Sequence, residues 1–174
     1  MAGNDGSQSA AAEGAAALGF ELFVMDDGWF GVGDDDTSGL GDWTVDPRKF
    51  PQGLGQLIDY VNSLGMEFGI WVEAEMVNRQ SNLYAAHPDW VYHFPNRPRS
   101  EGRNQLVLNF GREDVQEFVL TALHALLADH NIKFVKWDMN RSFSEPGRPD
   151  AEQGREQEIW IRHVQGLYHV LSLI

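Results

Sequence analysis

The chain has no cysteine, which excludes disulfides and thiolate metal sites. It is also poor in positive charge: 13 Lys and Arg stand against 26 Asp and Glu, for a formal net charge of −13. Nucleic acid and anionic membranes are recognised through basic patches, so neither is expected as a partner. No stretch approaches the roughly 18 consecutive apolar residues of a membrane span. Residues 1–12 show no basic segment ahead of an apolar core, so no signal peptide is read there and a cytoplasmic location is the default. What is present is 174 residues, 43% hydrophobic and 22% charged, enough for a globular domain with a real core.

Helix, short turn and strand recur along the chain. Residues 1–10 read as a disordered lead-in and 11–174 as the domain. Ala10 to Leu18 favours helix, with Gly19 as the left-handed residue that stops it. Leu54, Leu57, Ile58, Val61 and Leu64 mark a second helix, stopped by Gly65. Val115, Phe118, Val119, Ala122, Leu123, Leu126 and Leu127 mark a third, with Glu113 and Asp114 in its first turn and Asn131 in the glycine role. After each comes an apolar run with acidic residues at or just past its end: Leu22 to Asp27, Phe68 to Glu75, and Ile132 to Asp138. This order predicts parallel strands with right-handed crossovers. Long segments at Gly31 to Phe50 and Met76 to Arg112 follow the first two strands, the second with a short strand at Leu106 to Leu108. A last helix from Ile159 has an apolar face that still runs at Ile174, and the fragment reads as truncated at both ends.

Carboxylates at the C-terminal ends of parallel strands are what an α/β-barrel active site requires. Alternation along the third strand sets Phe134, Lys136 and Asp138 on one face and Val135 and Trp137 on the other. An ammonium beside Asp138 would keep that carboxylate ionised, as a nucleophile must be; the alternative is a buried ion pair without chemistry. Asp26 and Asp27 suit a hydroxyl-rich ligand, or else cap a turn. Trp29, Trp43 and Trp71 are candidate platforms for a sugar ring, whereas Trp137 and Trp160 read as core. Arg103 sits in a polar loop. Glu73 and Glu75 are either supporting groups or a rival catalytic pair. Asp34, Asp35 and Asp36 read as a solvated run, and neither oxygen nor histidine ligands fall at metal-binding spacing.

Several words in one order carry a resemblance: Leu22 to Phe30 (LFVMDDGWF), Leu40-Gly41-Asp42-Trp43, Glu73-Ala74-Glu75-Met76-Val77, Ala86 to Trp90 (AHPDW), Arg97 to Gln105 (RPRSEGRNQ) and Val135 to Arg141 (VKWDMNR). Together they resemble the α-galactosidases of glycoside hydrolase family 36. The resemblance implies an α/β chain forming part of a TIM (β/α)8 barrel, roughly its second to fourth units, with parallel strands and flanking helices. It implies a retaining hydrolase that releases terminal α-linked galactose from oligosaccharides such as melibiose and raffinose. Asp138 then matches the nucleophile, and Asp26, Asp27, Trp71, Arg103, Lys136 and Asn140 match positions that bind the sugar or support the nucleophile. No metal or organic cofactor is implied, and full-length members are often homo-oligomers. Ala74 stands where the family usually has proline. The family's acid/base aspartate falls outside the matching region, so the isolated chain is expected to be inactive. A galactose-binding module without turnover is the alternative.

Overall fold

Each parallel strand is delivered by a helix that ends abruptly. The computed structural model describes residues 4–33, 35, 37–144, 146–148 and 154–174. In chain order the elements are α1 (Asp5–Ala17), β1 (Leu22–Met25), α2 (Gly55–Ser63), β2 (Glu67–Val72), β3 (Met76–Asn78) and α3 (Asn82–Ala86). A 3-10 turn at Pro88–Trp90, then β4 (Gln105–Val107), α4 (Glu113–Ala128), β5 (Phe134–Trp137) and α5 (Glu158–Leu171) complete the order.

β1, β2 and β5 form a parallel sheet with β2 in the centre. Met25 lies beside Ile70, and Trp71 lies beside Lys136, so the ends of the strands are level. Phe68, Ile70 and Val72 are fully buried. Burying a side chain of this size contributes about 1.5–3 kcal/mol each, which makes β2 the spine of the core. The helices supply the other layer through Leu57, Ile58 and Val61 of α2 and Val115, Val119 and Leu123 of α4. β3 and β4 form a separate antiparallel ribbon beyond the sheet.

Gly19 and Gly65 take the left-handed conformation expected of them, with φ of 83° and 87°. Three local expectations are corrected. Helix α1 starts at Asp5, inside the segment read as a lead-in, because Asn4 and Ser7 form a reciprocal cap that satisfies its first N–H groups; residues 1–3 lie outside the described residues. Asn131 is not left-handed. There His130 Nδ1 donates to the Leu126 carbonyl at 2.9 Å, closing the end of α4 through a side chain instead. The segment from Met76 to Arg112 is not an open loop, since it contains the β3–β4 ribbon and two helical turns, held by Asp42 accepting from Asn82 N and Leu83 N at 2.8 and 2.9 Å. The expected short strand is present within it, from Gln105 to Val107. Among the described residues no helix is long and apolar enough to cross a membrane.

Candidate active site

The ends of the three parallel strands converge on Asp138. Its backbone N–H donates to the Val72 carbonyl at 2.8 Å, the last bond of the sheet, which fixes where its side chain departs. Trp71 Nε1 donates to Asp138 Oδ2 at 3.0 Å and Asn140 Nδ2 donates to the same oxygen at 2.9 Å. The Met139 N–H supplies Oδ1 at 2.9 Å. The indole is the strongest influence holding the Asp138 carboxyl below its ordinary range; burial opposes it, and Asn140, the Met139 N–H and the Lys136 charge assist.

The lysine does something other than expected. Lys136 Nζ lies 2.7 Å from Asp26 Oδ2, so its direct partner is Asp26, and it reaches Asp138 only through its charge. Both side chains are well exposed, so the pair is not a buried ion pair. Burial pushes the Asp26 carboxyl up, but the Lys136 hydrogen bond, the Asp27 N–H and the lysine charge outweigh it and hold Asp26 low. Burial wins at Asp27, whose carboxyl is raised with Asp26 adding repulsion, while the charges of Lys49 and Arg103 pull it down. The two neighbouring aspartates thus differ in proton affinity.

Trp71, Asp27, Arg103 and Asn140 line one cavity of about 40 Å³, together with Glu73 and Gln105. Arg103 is brought there by a tight reversal. Arg103 and Asn104 have φ of 53° and 60°, and Gly102 and Gln105 exchange backbone bonds at 2.9 and 3.3 Å across them. Two consecutive left-handed residues make the mirror-image hairpin turn, a strained choice for non-glycine residues and one that clusters at functional sites. All of the sequence-derived candidates, Asp26, Asp27, Trp71, Arg103, Lys136, Asp138 and Asn140, therefore share one neighbourhood at the strand ends.

Other candidates move away from it. Trp29 and Trp43 are buried at 1% and 6% exposure and serve as packing, not as open sugar platforms. Trp29 Nε1 donates to the Trp71 carbonyl at 2.9 Å, and Phe30 stacks on the Trp71 ring with centroids 5.8 Å apart, so both orient Trp71 from behind. Trp160, read as core, is 42% exposed and packs edge-on with Phe143. Glu75 is not a rival catalytic group: it accepts from Trp137 Nε1 at 3.0 Å and lies 3.0 Å from His163 Nε2, deep in the interior. His163 Nδ1 in turn meets Tyr92 Oη at 3.2 Å. No spacing in the sequence announces this buried triad. Asp35 Oδ1 is occupied by Thr37 N and Oγ1 at 2.9 and 2.6 Å, while Asp34 and Asp36 lie outside the described residues. Gln105, which enters the cavity wall, also escaped the sequence reading; its one signal is its place directly after the Arg103-Asn104 pair. Among the described residues no group of three or more His, Asp or Glu is arranged to hold a metal ion.

Comparison with known proteins gives this arrangement a family. The melibiase family model matches residues 4–174. The chain belongs to the melibiase family. An α-galactosidase AgaA from Geobacillus stearothermophilus is 53% identical over 160 residues, covering 92% of this chain and 22% of that protein. An α-galactosidase Mel36A from Lactobacillus acidophilus is 46% identical over 158 residues, with 91% and 22% covered. The crystal structure of a variant of AgaA with raffinose superposes with a TM-score of 0.92 at 50% identity, over 98% of this chain and 24% of that one. An α-galactosidase from Lactobacillus brevis gives 0.93 at 39% identity, over 98% and 23%. This melibiase-family chain thus spans about a quarter of the length of the relatives it matches.

Proposed function

We propose that the chain forms the second to fourth units of a (β/α)8 barrel in a retaining α-galactosidase and carries that enzyme's nucleophile, Asp138. The observation that carries this reading is the convergence of Trp71 and Asn140 on one Asp138 oxygen, which keeps the carboxylate charged and aimed at the open ends of the strands. Names of the relatives support the substrate class, since AgaA variants have been crystallised with raffinose and stachyose.

In the first step the Asp138 carboxylate attacks the anomeric carbon of a terminal α-galactosyl unit. A galactosyl ester forms as the bond to the leaving oxygen breaks, and an acid protonates that oxygen. In the second step the same acid, now a base, takes a proton from water, which attacks the ester and releases galactose with retained configuration. Asp26, Asp27, Arg103, Lys136 and Asn140 hold the sugar hydroxyls. Ionised Asp26 and Asp27 accept from hydroxyl groups and the cationic side chains donate to their oxygens. Trp71, itself buried, contributes through the N–H that holds Asp138.

The acid/base group comes from outside these residues. Glu73 and Glu75 do not fill that role, because Glu75 is occupied by Trp137 and His163 and Glu73 is occupied by Asn140 and Gln105. Purified chain should therefore release no more than one equivalent of nitrophenol from a nitrophenyl α-galactoside, without turnover. Turnover by the chain alone would show that the second carboxyl lies among residues 1–174. Saturable galactose binding without covalent capture by an activated galactosyl donor would favour a binding module instead.

A further inference from the structure

Beyond the last bond of the sheet, at Asp138 N, the chain through Met139 and Asn140 has no regular structure to hold it. What receives it is Glu73, just past the end of β2. Glu73 Oε1 accepts the Asn140 backbone N–H. Its other oxygen, Oε2, accepts from Gln105 Nε2 at 3.0 Å. Gln105 closes the turn that presents Arg103, and Asn140 carries the amide that donates to Asp138. We propose that Glu73 is a positioning residue for the galactosyl-transfer site: one buried carboxylate sets both the Asn140 amide on the nucleophile and the hairpin turn bearing Arg103. The inference rests on the glycosidase reading for its functional meaning, but not for its geometry.

The chemistry of the three partners supports it. Two N–H donors converge on Glu73 from separate elements, and only a carboxylate of this length accepts from both; glutamine would offer one acceptor and one donor. Gln105 reinforces the point. Its Oε1 is buried without a hydrogen-bond partner, and the reverse amide orientation would leave the NH2 in that place and set oxygen against the Glu73 oxygen. The Gln105 amide is therefore oriented by Glu73. The left-handed pair Arg103 and Asn104 persists only where its surroundings hold it; Asn78 Nδ2, donating to the Asn104 carbonyl at 2.8 Å, and the Gln105–Glu73 bond provide that hold. Glu73 is 1% exposed and burial raises its proton affinity, so its ionisation is retained against a cost, and Asp138 adds to that cost.

The test is amide and indole proton NMR of this chain at one neutral pH, with the shift change that Asp138→Ala causes taken as the response. In the parent, the Asn140 Nδ2 protons and the Trp71 Nε1 proton should both respond, because both donate to Asp138 Oδ2. In Glu73→Ala the Asn140 response should fall by more than half while the Trp71 response persists, since Trp71 is oriented independently by Phe30 and Trp29. A full Asn140 response in that variant overturns the proposal, which a general loosening would not mimic because it would weaken both signals together. If Glu73→Ala does not fold, the isosteric Glu73→Gln decides: its single acceptor cannot serve both donors, so either the Asn140 backbone N–H or the Gln105 Nε2 protons should lose their hydrogen-bonded shift, and both shifts unchanged overturns the proposal. Failure of the glycosidase reading would appear elsewhere, as absence of covalent capture of Asp138 by an activated galactosyl donor, with these NMR results intact.

Discussion

Replacing Trp71 by phenylalanine isolates the group that most strongly holds the Asp138 carboxyl in its charged form. The ring on Phe30 is retained in part, but the N–H that donates to Asp138 Oδ2 at 3.0 Å is lost. A hydrogen bond to a charged group is worth about 1.5–3 kcal/mol net. Asp138 is only partly buried, and solvent screening reduces that value to ~1 kcal/mol. Asp138 should then bind its proton roughly fivefold more tightly, since about 1.4 kcal/mol corresponds to a factor of ten. The donors Asn140 and Met139 remain, so the carboxyl should stay ionised at neutral pH. The assay is a carbon-detected NMR titration of the Asp138 carboxyl in the parent and in Trp71→Phe. The Trp29 indole, which donates to the backbone carbonyl of residue 71, reports that the strand has stayed in place. An unchanged titration, or one displaced to lower pH, would refute the claim that the indole keeps the Asp138 carboxyl charged.

Gly166→Ala should destabilise the docking of α5, because an added Cβ would sit 1.8 Å from the Phe110 carbonyl oxygen; a loss of about 1–3 kcal/mol is expected in urea unfolding, and an unchanged midpoint would contradict this packing. Lys136→Met should raise the proton affinity of Asp26 while changing stability by less than about 1 kcal/mol, since exposed ion pairs contribute little; carboxyl titration and urea unfolding check the two halves. Stability should respond to pH with two opposed signs. The carboxyls of Asp26 and Asp138 lie below their ordinary value of 3.8, so their contribution is complete above that pH and is lost as pH falls through their folded values. Asp27 and Glu73 lie above their ordinary values of 3.8 and 4.5, so they stabilise while protonated and that contribution is lost as pH rises through their folded values. Urea midpoints measured across the acid range should therefore rise out of strong acid and then sag; a monotonic rise to neutrality would contradict the raised pair.

The parallel strands were legible because each is a compact apolar run bounded by a helix stop and a carboxylate, and both signals are local in sequence. The candidate site residues were nominated for a different reason: long words such as Val135 to Arg141 resemble a known family over many positions. What stayed hidden depends on contacts between distant segments. Lys136 and Asp138 are two residues apart and on one face, yet the lysine turns to Asp26, which the neighbouring strand system brings to 2.7 Å. Trp29 and Trp43 look available beside their acidic neighbours, but they fill the space behind Trp71. Glu75, His163 and Tyr92 come from three separate elements and meet only when α5 docks. The start of α1 was misread because the composition of residues 4–10 suggests looseness, while a single cap of Asn4 and Ser7 suffices to begin the helix.

The account stands or falls on the reactivity of one carboxylate. A mechanism-based α-galactosyl fluoride needs no protonated leaving group, so it can report on Asp138 without the second catalytic carboxyl. Incubation with the chain, followed by proteolysis and mass spectrometry, should find the galactosyl adduct on the peptide that contains Asp138. The adduct should be absent from Asp138→Ala and suppressed by free galactose. Label on Glu73 or Glu75, or no label while the Asp138 carboxyl is shown to be ionised, would contradict it.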